Sequence, residues 1–435
     1  MWLLEPLLYG EREKKNNVSG EKGMKIKEIL KNNGRKKEKA RQDDAVPTIK
    51  KGGQLLIAAL ALLAFAALLY FANHDRPVYR SSDISGIEYE VGRVIGILED
   101  NTIVDEDMDG MWRGSMELQV EILTGRYKGE TAEVTNYFSS LYNVRVEQGD
   151  KVSVRIDTGA DSNYQVSIYN YYRAPWLVGC VAVFLLLLIV IGGKKGAKSA
   201  AGLIFTMVCI IWILLPLSLK GYSPLVVTTF LILVCNLVTF FLIDGIQAKT
   251  VVAAVGSVCG VLAGAVFSLI VQALMSVTTY QMEEAETLLL ISGDTGLELK
   301  DLLLCGILIA CMGAVMDVAM SIASACAELH DLNSELGAKE LFRSGMNIGK
   351  DAMGTMSNTL IMAFAGNSLN MMLMIYSYGV SFQQLMNTDF VAIEIIGSIA
   401  GSIGIICTVP IVAFIAASVL GKRQKKGSLM HKKAE

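Results

Sequence analysis

Gly313–His330 reads GAVMDVAMSIASACAELH, and Ser344–Met372 reads SGMNIGKDAMGTMSNTLIMAFAGNSLNMM, with a short polar link between them. Both are apolar runs that carry polar residues at helical spacing. Asp317, Ser321, Ser324 and Glu328 follow one another at i, i+4, i+7 and i+11, which puts them on one face of an α-helix. Asn347, Asp351, Thr355 and Asn358, at i, i+4, i+8 and i+11, likewise share one face, and Asn367 and Asn370 follow. A carboxylate near the middle of a membrane span costs about 2.5–3.5 kcal/mol on insertion scales, so Asp317 is expected to face protein or water. With a short helix and turn over Leu329–Met346, the two helices are expected to pack antiparallel with their polar faces opposed.

The rest of the chain sets these runs in a bilayer. It has 435 residues, is 52% hydrophobic and holds eight apolar runs. They lie near 55–72, 175–193, 200–219, 224–243, 250–276, 301–327, 350–378 and 389–420. This predicts a polytopic α-helical membrane protein of about eight transmembrane helices. The net charge of −3 hides a segregation of charge. Lys194, Lys195, Lys198, Lys249, Lys339, Arg343 and the cluster from Lys422 fall on one side of the expected membrane. The acidic loop with Glu283, Glu284, Glu286 and Asp294 falls on the other. The positive-inside rule makes the basic side cytoplasmic, both termini included.

Residues 1–53 form a basic leader, expected to be disordered and cytoplasmic; residues 54–73 form the first anchor. Residues 75–173 differ in kind. The runs GIEYEVGRVIGIL, MELQVEIL, GETAEV, DKVSVRI and NYQVSIYNYY alternate as about five strands do. LTGRYKGE reads as a hairpin, and Gly149-Asp150 as a turn. A small extracellular β-barrel or sandwich domain is predicted here. Residues 174–421 supply seven more helices, and 422–435 a basic cytoplasmic tail. Gly256, Gly260 and Gly264 in the fifth span, like Gly397, Gly401 and Gly404 in the eighth, let helix backbones approach closely. Their likeness also raises an inverted repeat.

Several chemistries are disfavoured. The eight cysteines all fall in predicted spans without CxxC or Cys/His metal spacing, and are expected to be packing residues. Met312, Met316 and Met320 repeat at i, i+4 and i+8, as core methionines do. The three histidines lie at or beyond span ends. IGKDAMG at Asp351 lacks the pattern of an intramembrane aspartyl protease, and no nucleotide or hydrolase motif stands in a credible context. We expect no enzyme, cofactor, bound metal or nucleic-acid partner. Lys350 points about 100° away from Asp351 and is a poor partner for it. Glu394, one turn into the last span, reads as a pore-mouth or snorkelling group. Asp244 and Asp301 read as solvated.

Met316–His330 and Ser344–Leu369 carry a resemblance to the YibE/F family of bacterial membrane proteins. The likeness runs from about Ala174 to Leu420, and the extracellular domain fits the longer, YibE-like members. The resemblance implies a multi-span protein of the bacterial cytoplasmic membrane and supplies no established activity. From the residues, the expected function is transport of an unknown small molecule or ion. Asp317, Ser321, Ser324, Glu328, Asn347, Asp351, Thr355, Asn358 and Asn367 would line a path between the sixth and seventh spans. The alternative is a non-transporting scaffold or sensor whose extracellular domain binds a ligand or protein partner.

Overall fold

The alternating segment forms a curled antiparallel sheet of six strands in a computed structural model. The model describes residues 51–77, 86–108, 110–158, 164–282, 284–333 and 335–431. The strands are β1 (Ile87–Asp100), β2 (Ile103–Asp105), β3 (Met111–Ile122), β4 (Thr131–Phe138), β5 (Lys151–Thr158) and β6 (Tyr164–Tyr171). Their order is β2-β3-β1-β5-β6, with β4 on the other edge of β3. One sheet replaces the two layers of a sandwich. It curls far enough to bring β4 beside β6. There Tyr164 Oη hydrogen-bonds the Glu130 carboxylate, and the Tyr127 and Tyr164 rings stack 4.2 Å apart.

Period-two alternation fills the hollow of the curl. Leu118, Val120 and Ile122 of β3 meet Val152, Val154 and Ile156 of β5 there, all fully buried. β1 must bend across both neighbours, and Gly92 makes this feasible. A Cβ there would stand 2.7 Å from Val120 Cγ1 and 2.9 Å from Val154 Cγ1. β2, three residues long, is the strand that the alternation does not reveal.

The remaining elements are helical. α1 is Lys51–Asn73, α2 Ala174–Cys209, α3 Leu215–Leu219, α4 Pro224–Asp244 and α5 Ala248–Met275. They are followed by α6 (Ala285–Asp294), α7 (Leu302–Leu332), α8 (Ala338–Asn367), α9 (Leu369–Ser377), α10 (Phe382–Met386) and α11 (Asp389–His431). Of the leader expected over residues 1–53, residues 1–50 lie outside the described residues, and 51–53 open α1.

Five helices are long and apolar enough to cross a membrane, or six if the bent pair α8–α9 is one span. This is fewer than the eight expected. Within its described side chains the first apolar helix is short, Ala59–Asn73, and residues 174–219 form one run of 46 residues. Helical rise would make that run about 69 Å long, over twice a bilayer's hydrocarbon core. It does not stay straight. Gly193 sits at φ 55, ψ −135. A Cβ on Gly196 would overlap the Leu188 carbonyl oxygen, so the chain doubles back at this point. A π-helical turn, Ile210–Leu214, joins α2 to α3.

α5 and α11 form the tightest seam of the bundle. Their glycines interlock: a Cβ on Gly264 would stand 2.8 Å from the Ala400 carbonyl oxygen, and one on Gly260 would overlap Thr408 Oγ1. The two glycine-bearing helices that resemble each other in sequence therefore pack against each other, antiparallel. α7 is the most enclosed helix, with Leu304, Leu308, Cys311, Val315, Ala319, Ile322 and Cys326 buried along one side. Met312 and Met316 pack in that core, and seven of the eight free cysteines are fully or partly buried.

Candidate functional site

α7 and α8 are antiparallel neighbours, as the short link requires. Their contact is made by small and apolar groups. A Cβ on Gly345 would stand 2.8 Å from Cys326 Sγ, and one on Gly349 would stand 3.1 Å from Ile322 Cδ1. Further along, Leu360 and Cys311 converge on Gly401 of α11. At this register Asp317 is level with Gly354, and Asp351 with Met320.

The polar faces do not meet each other. Asp317, Ser321 and Glu328 are exposed on α7, and Asn347, Asp351, Thr355, Asn358 and Asn367 on α8; Ser324 is half-buried. The opposed arrangement expected from the spacing is thus replaced by two outward faces, side by side. The reason lies in the opposite side of α8. Leu341, Gly345 and Gly349 form its buried stripe, and two of these are glycines that draw the helix onto α7 and α11. Close packing on that side turns the amide- and carboxylate-bearing side away.

Few of these groups find partners within the chain. Thr355 Oγ1 donates back to the Ala352 carbonyl at 3.0 Å, and Ser324 Oγ to Met320 Sδ at 3.5 Å. Among the described residues, Asp317, Glu328, Lys350 and Asp351 form no ion pair. Asp317 lies 15 residues beyond Leu302, about 22 Å along the helix, which is deep within an apolar span. Lipid tails offer such groups no hydrogen bond. The face needs water or protein over it.

Other polar groups lie inside the bundle. Asn236 of α4 and Ser257 of α5 are fully buried and bonded at 2.8 Å, a polar tie between helices. Asp244 is not solvated as its span-end position suggested. It pairs with Lys249 at 2.9 Å, both side chains largely shielded, and closes the α4–α5 turn. Glu394 likewise departs from a snorkelling group. It sits against Ser368 at the 58° bend between α8 and α9, and its Oε2 is shielded without a partner. A single carboxylate in an apolar run gave no sign of this; the paired signal was the Gly-Asn-Ser stretch at 366–368 opposite it.

A cleft of about 590 Å³ opens where α1 ends, lined by Tyr70, Phe71, His74, Lys220 and Tyr222. Lys220 Nζ donates to the carbonyls of Phe71 (2.6 Å) and His74 (2.5 Å) and so fixes the last turn of α1 to the bundle. None of the residues that line it belongs to the α7 or α8 polar face. Among the described residues no group of three His, Cys, Asp or Glu side chains is placed to hold a metal ion.

In the sheet domain, Arg145 is the central polar side chain. It lies 3.6 Å from the centre of the Trp112 ring and bonds Thr102 Oγ1 at 2.9 Å and Asp100 Oδ2 at 3.2 Å. Asp100 also accepts from Thr102 Oγ1 (2.6 Å) and Thr102 N (3.0 Å). These bonds, and then the Arg145 charge, hold its carboxyl below the usual carboxylate range.

Two family models match the chain. The one described as YibE/F-like protein covers residues 180–422, and the one described as YibE/F family N-terminal domain covers residues 85–171. No curated protein and no solved structure matches it.

Proposed function

The chain belongs to the YibE/F family, and from its unpaired polar face we propose that it is a transporter whose polar path follows the outward face of α7 and α8. Asp317 is its deepest charge, with Ser321, Ser324, Asn358 and Asn367 around it; Asp351, Asn347 and Thr355 lead toward the basic side, where Glu328 meets water. Carboxylates of this kind suit a small cation or a polar solute that exchanges hydration for oxygen ligands. The carrying observation is that Asp317 lies deep in an apolar helix, exposed and unpaired among the described residues. No nucleotide-binding motif is present in the sequence, so the energy comes from an ion gradient or from another subunit.

In this reading the chain crosses the bacterial cytoplasmic membrane eight times. The reversal at Gly193 supports two crossings within residues 174–219, and the bend at Ser368 supports a broken seventh. The sheet domain then lies outside the cell, between the first and second crossings, and both termini lie inside. The chemistry asked of the protein is binding and passage, with no covalent step and no cofactor.

The test compares a deletion strain carrying either the wild-type chain or Asp317→Asn, across uptake and efflux of ions, metals, peptides and amphiphiles. Wild type should restore at least one flux, and Asp317→Asn should insert normally but fail to restore it. A fully active Asp317→Asn would contradict the reading.

One observation favours a second reading, a scaffold or sensor. The polar faces point away from the chain's own core, as a docking surface would. In that case deleting residues 86–171 would abolish the phenotype, while Asp317→Asn would weaken association with a partner and leave all fluxes unchanged.

A further inference from the structure

The α7–α8 face is polar at mid-span and has no cover within its own chain. We infer that a second copy of the chain lies against it, in a two-fold interface where each copy supplies Lys350 to the other's Asp317 and Asp351. The inference rests on the reading that this face lies within the membrane.

Charge points to a like partner. Lys350 is exposed on the same helix as Asp351, one turn from the level of Asp317, and none of the three has an ion pair among the described residues. Such a face carries both signs and complements itself. A two-fold axis sets each ammonium opposite the other copy's carboxylates, and an isologous contact of this kind closes at two copies. The remaining charges at the basic end of α8, Lys339, Glu340 and Arg343, also alternate in sign. The amides agree. Asn347 and Asn358 each donate and accept, so each can bond its own symmetry mate or a neighbour's.

Shape allows the approach. Gly313 on α7 and Gly354 on α8 are exposed, and nothing stands within 4 Å of where their Cβ atoms would be, so a second backbone can come close. Next to this face, α9 leans away at 58° and buries none of its residues in its own chain. Leu373 and Tyr376 are 65% and 83% exposed there. A helix that fully buries none of its residues at home, beside a polar face that lipid cannot satisfy, is suited to contact a neighbour.

The experiment uses full-length protein in native membranes. Asn358→Cys, in a Cys180→Ser background, is treated with a short membrane-permeable bis-maleimide. Leu233→Cys, midway along the exposed side of α4, serves as control. Copies per particle are counted separately for the unsubstituted chain in lipid nanodiscs at limiting protein. The expected result is a product of twice the chain mass from Asn358→Cys only, with two chains per nanodisc. Lys350→Asp should lower the product several-fold, and Lys350→Asp with Asp351→Lys should restore it. One chain per nanodisc, or cross-linking no better than the control, overturns the inference. So does a product whose second chain has a different sequence by mass spectrometry. Transport that is lost in Asp317→Asn while the chain is single would end this inference and leave the transport reading standing. Two copies with a fully active Asp317→Asn would do the reverse.

Discussion

Gly260→Ala probes the seam that holds the bundle together. The added methyl would overlap Thr408 Oγ1 and stand 3.0 Å from Thr408 Cβ and 3.1 Å from the Gly404 carbonyl oxygen. Thr408 Oγ1 now donates to that carbonyl at 2.7 Å in a fully buried site. The threonine must rotate and give up this bond, a net loss of about 0.5–1.5 kcal/mol. The contacts that remain must also relax, and overpacking of this size costs about 1–3 kcal/mol. Alanine's better helix propensity returns up to about 1 kcal/mol. The expected net destabilisation is therefore about 0.5–4.5 kcal/mol. Thr408→Ala alone should cost about 0.5–1.5 kcal/mol. The double variant should cost at least about 1 kcal/mol less than the two added together, because the colliding oxygen has gone. Reversible unfolding in mixed detergent micelles measures all three. Strictly additive costs, or a neutral Gly260→Ala, would refute the interlocked seam.

Arg145→Ala removes a ring contact and two hydrogen bonds at once, so it should destabilise the sheet domain by about 1–3 kcal/mol; urea unfolding followed by Trp112 fluorescence reads this, and Arg145→Lys should recover only part. Asp100 gives a pH test. Its carboxyl is held below its ordinary value of 3.8, so its contribution is complete above that value and is lost as pH falls through the folded one. Acid destabilisation of the β1–β2 turn should begin only below about pH 3.8, and Thr102→Val should move the Asp100 titration upward in a carboxyl-labelled NMR experiment. Lys220→Met should loosen the end of α1, with faster hydrogen exchange at Phe71 to His74 and little change in α4 or α5.

Much of this architecture is legible in the sequence because it follows from period and polarity. Alternation marks β1, β3, β4, β5 and β6, and the positive φ of Gly125, Gly129 and Gly149 fits the turns read there. β2 escapes because three residues cannot show a period. The spacing of Asp317, Ser321 and Glu328 correctly places them on one side of a helix, but period alone does not say which way that side looks. In water the polar side faces out; in a bilayer that rule does not hold, and packing decides. Here the deciding residues are Gly345 and Gly349, whose smallness opposite Asn347 and Asn358 marks the packed side. The Gly193 reversal and the Ser368 bend are tertiary choices, for Gly192-Gly193 and Gly366-Asn367-Ser368 permit a break without demanding one. Glu394 shows the same limit, since its position in the span does not reveal that a bent helix shields it.

Water access to the α7–α8 face is the direct test of whether that face carries the function. Asn358→Cys in native membranes, with Cys180 replaced by serine, is exposed to a small, charged, membrane-impermeant thiol reagent. Labelling well above that of a Leu233→Cys control, midway along α4, is the result predicted for a wet path. Labelling equal to that control, exposed midway along an apolar helix, would mean that the polar face meets no water, and the account of its function would not stand.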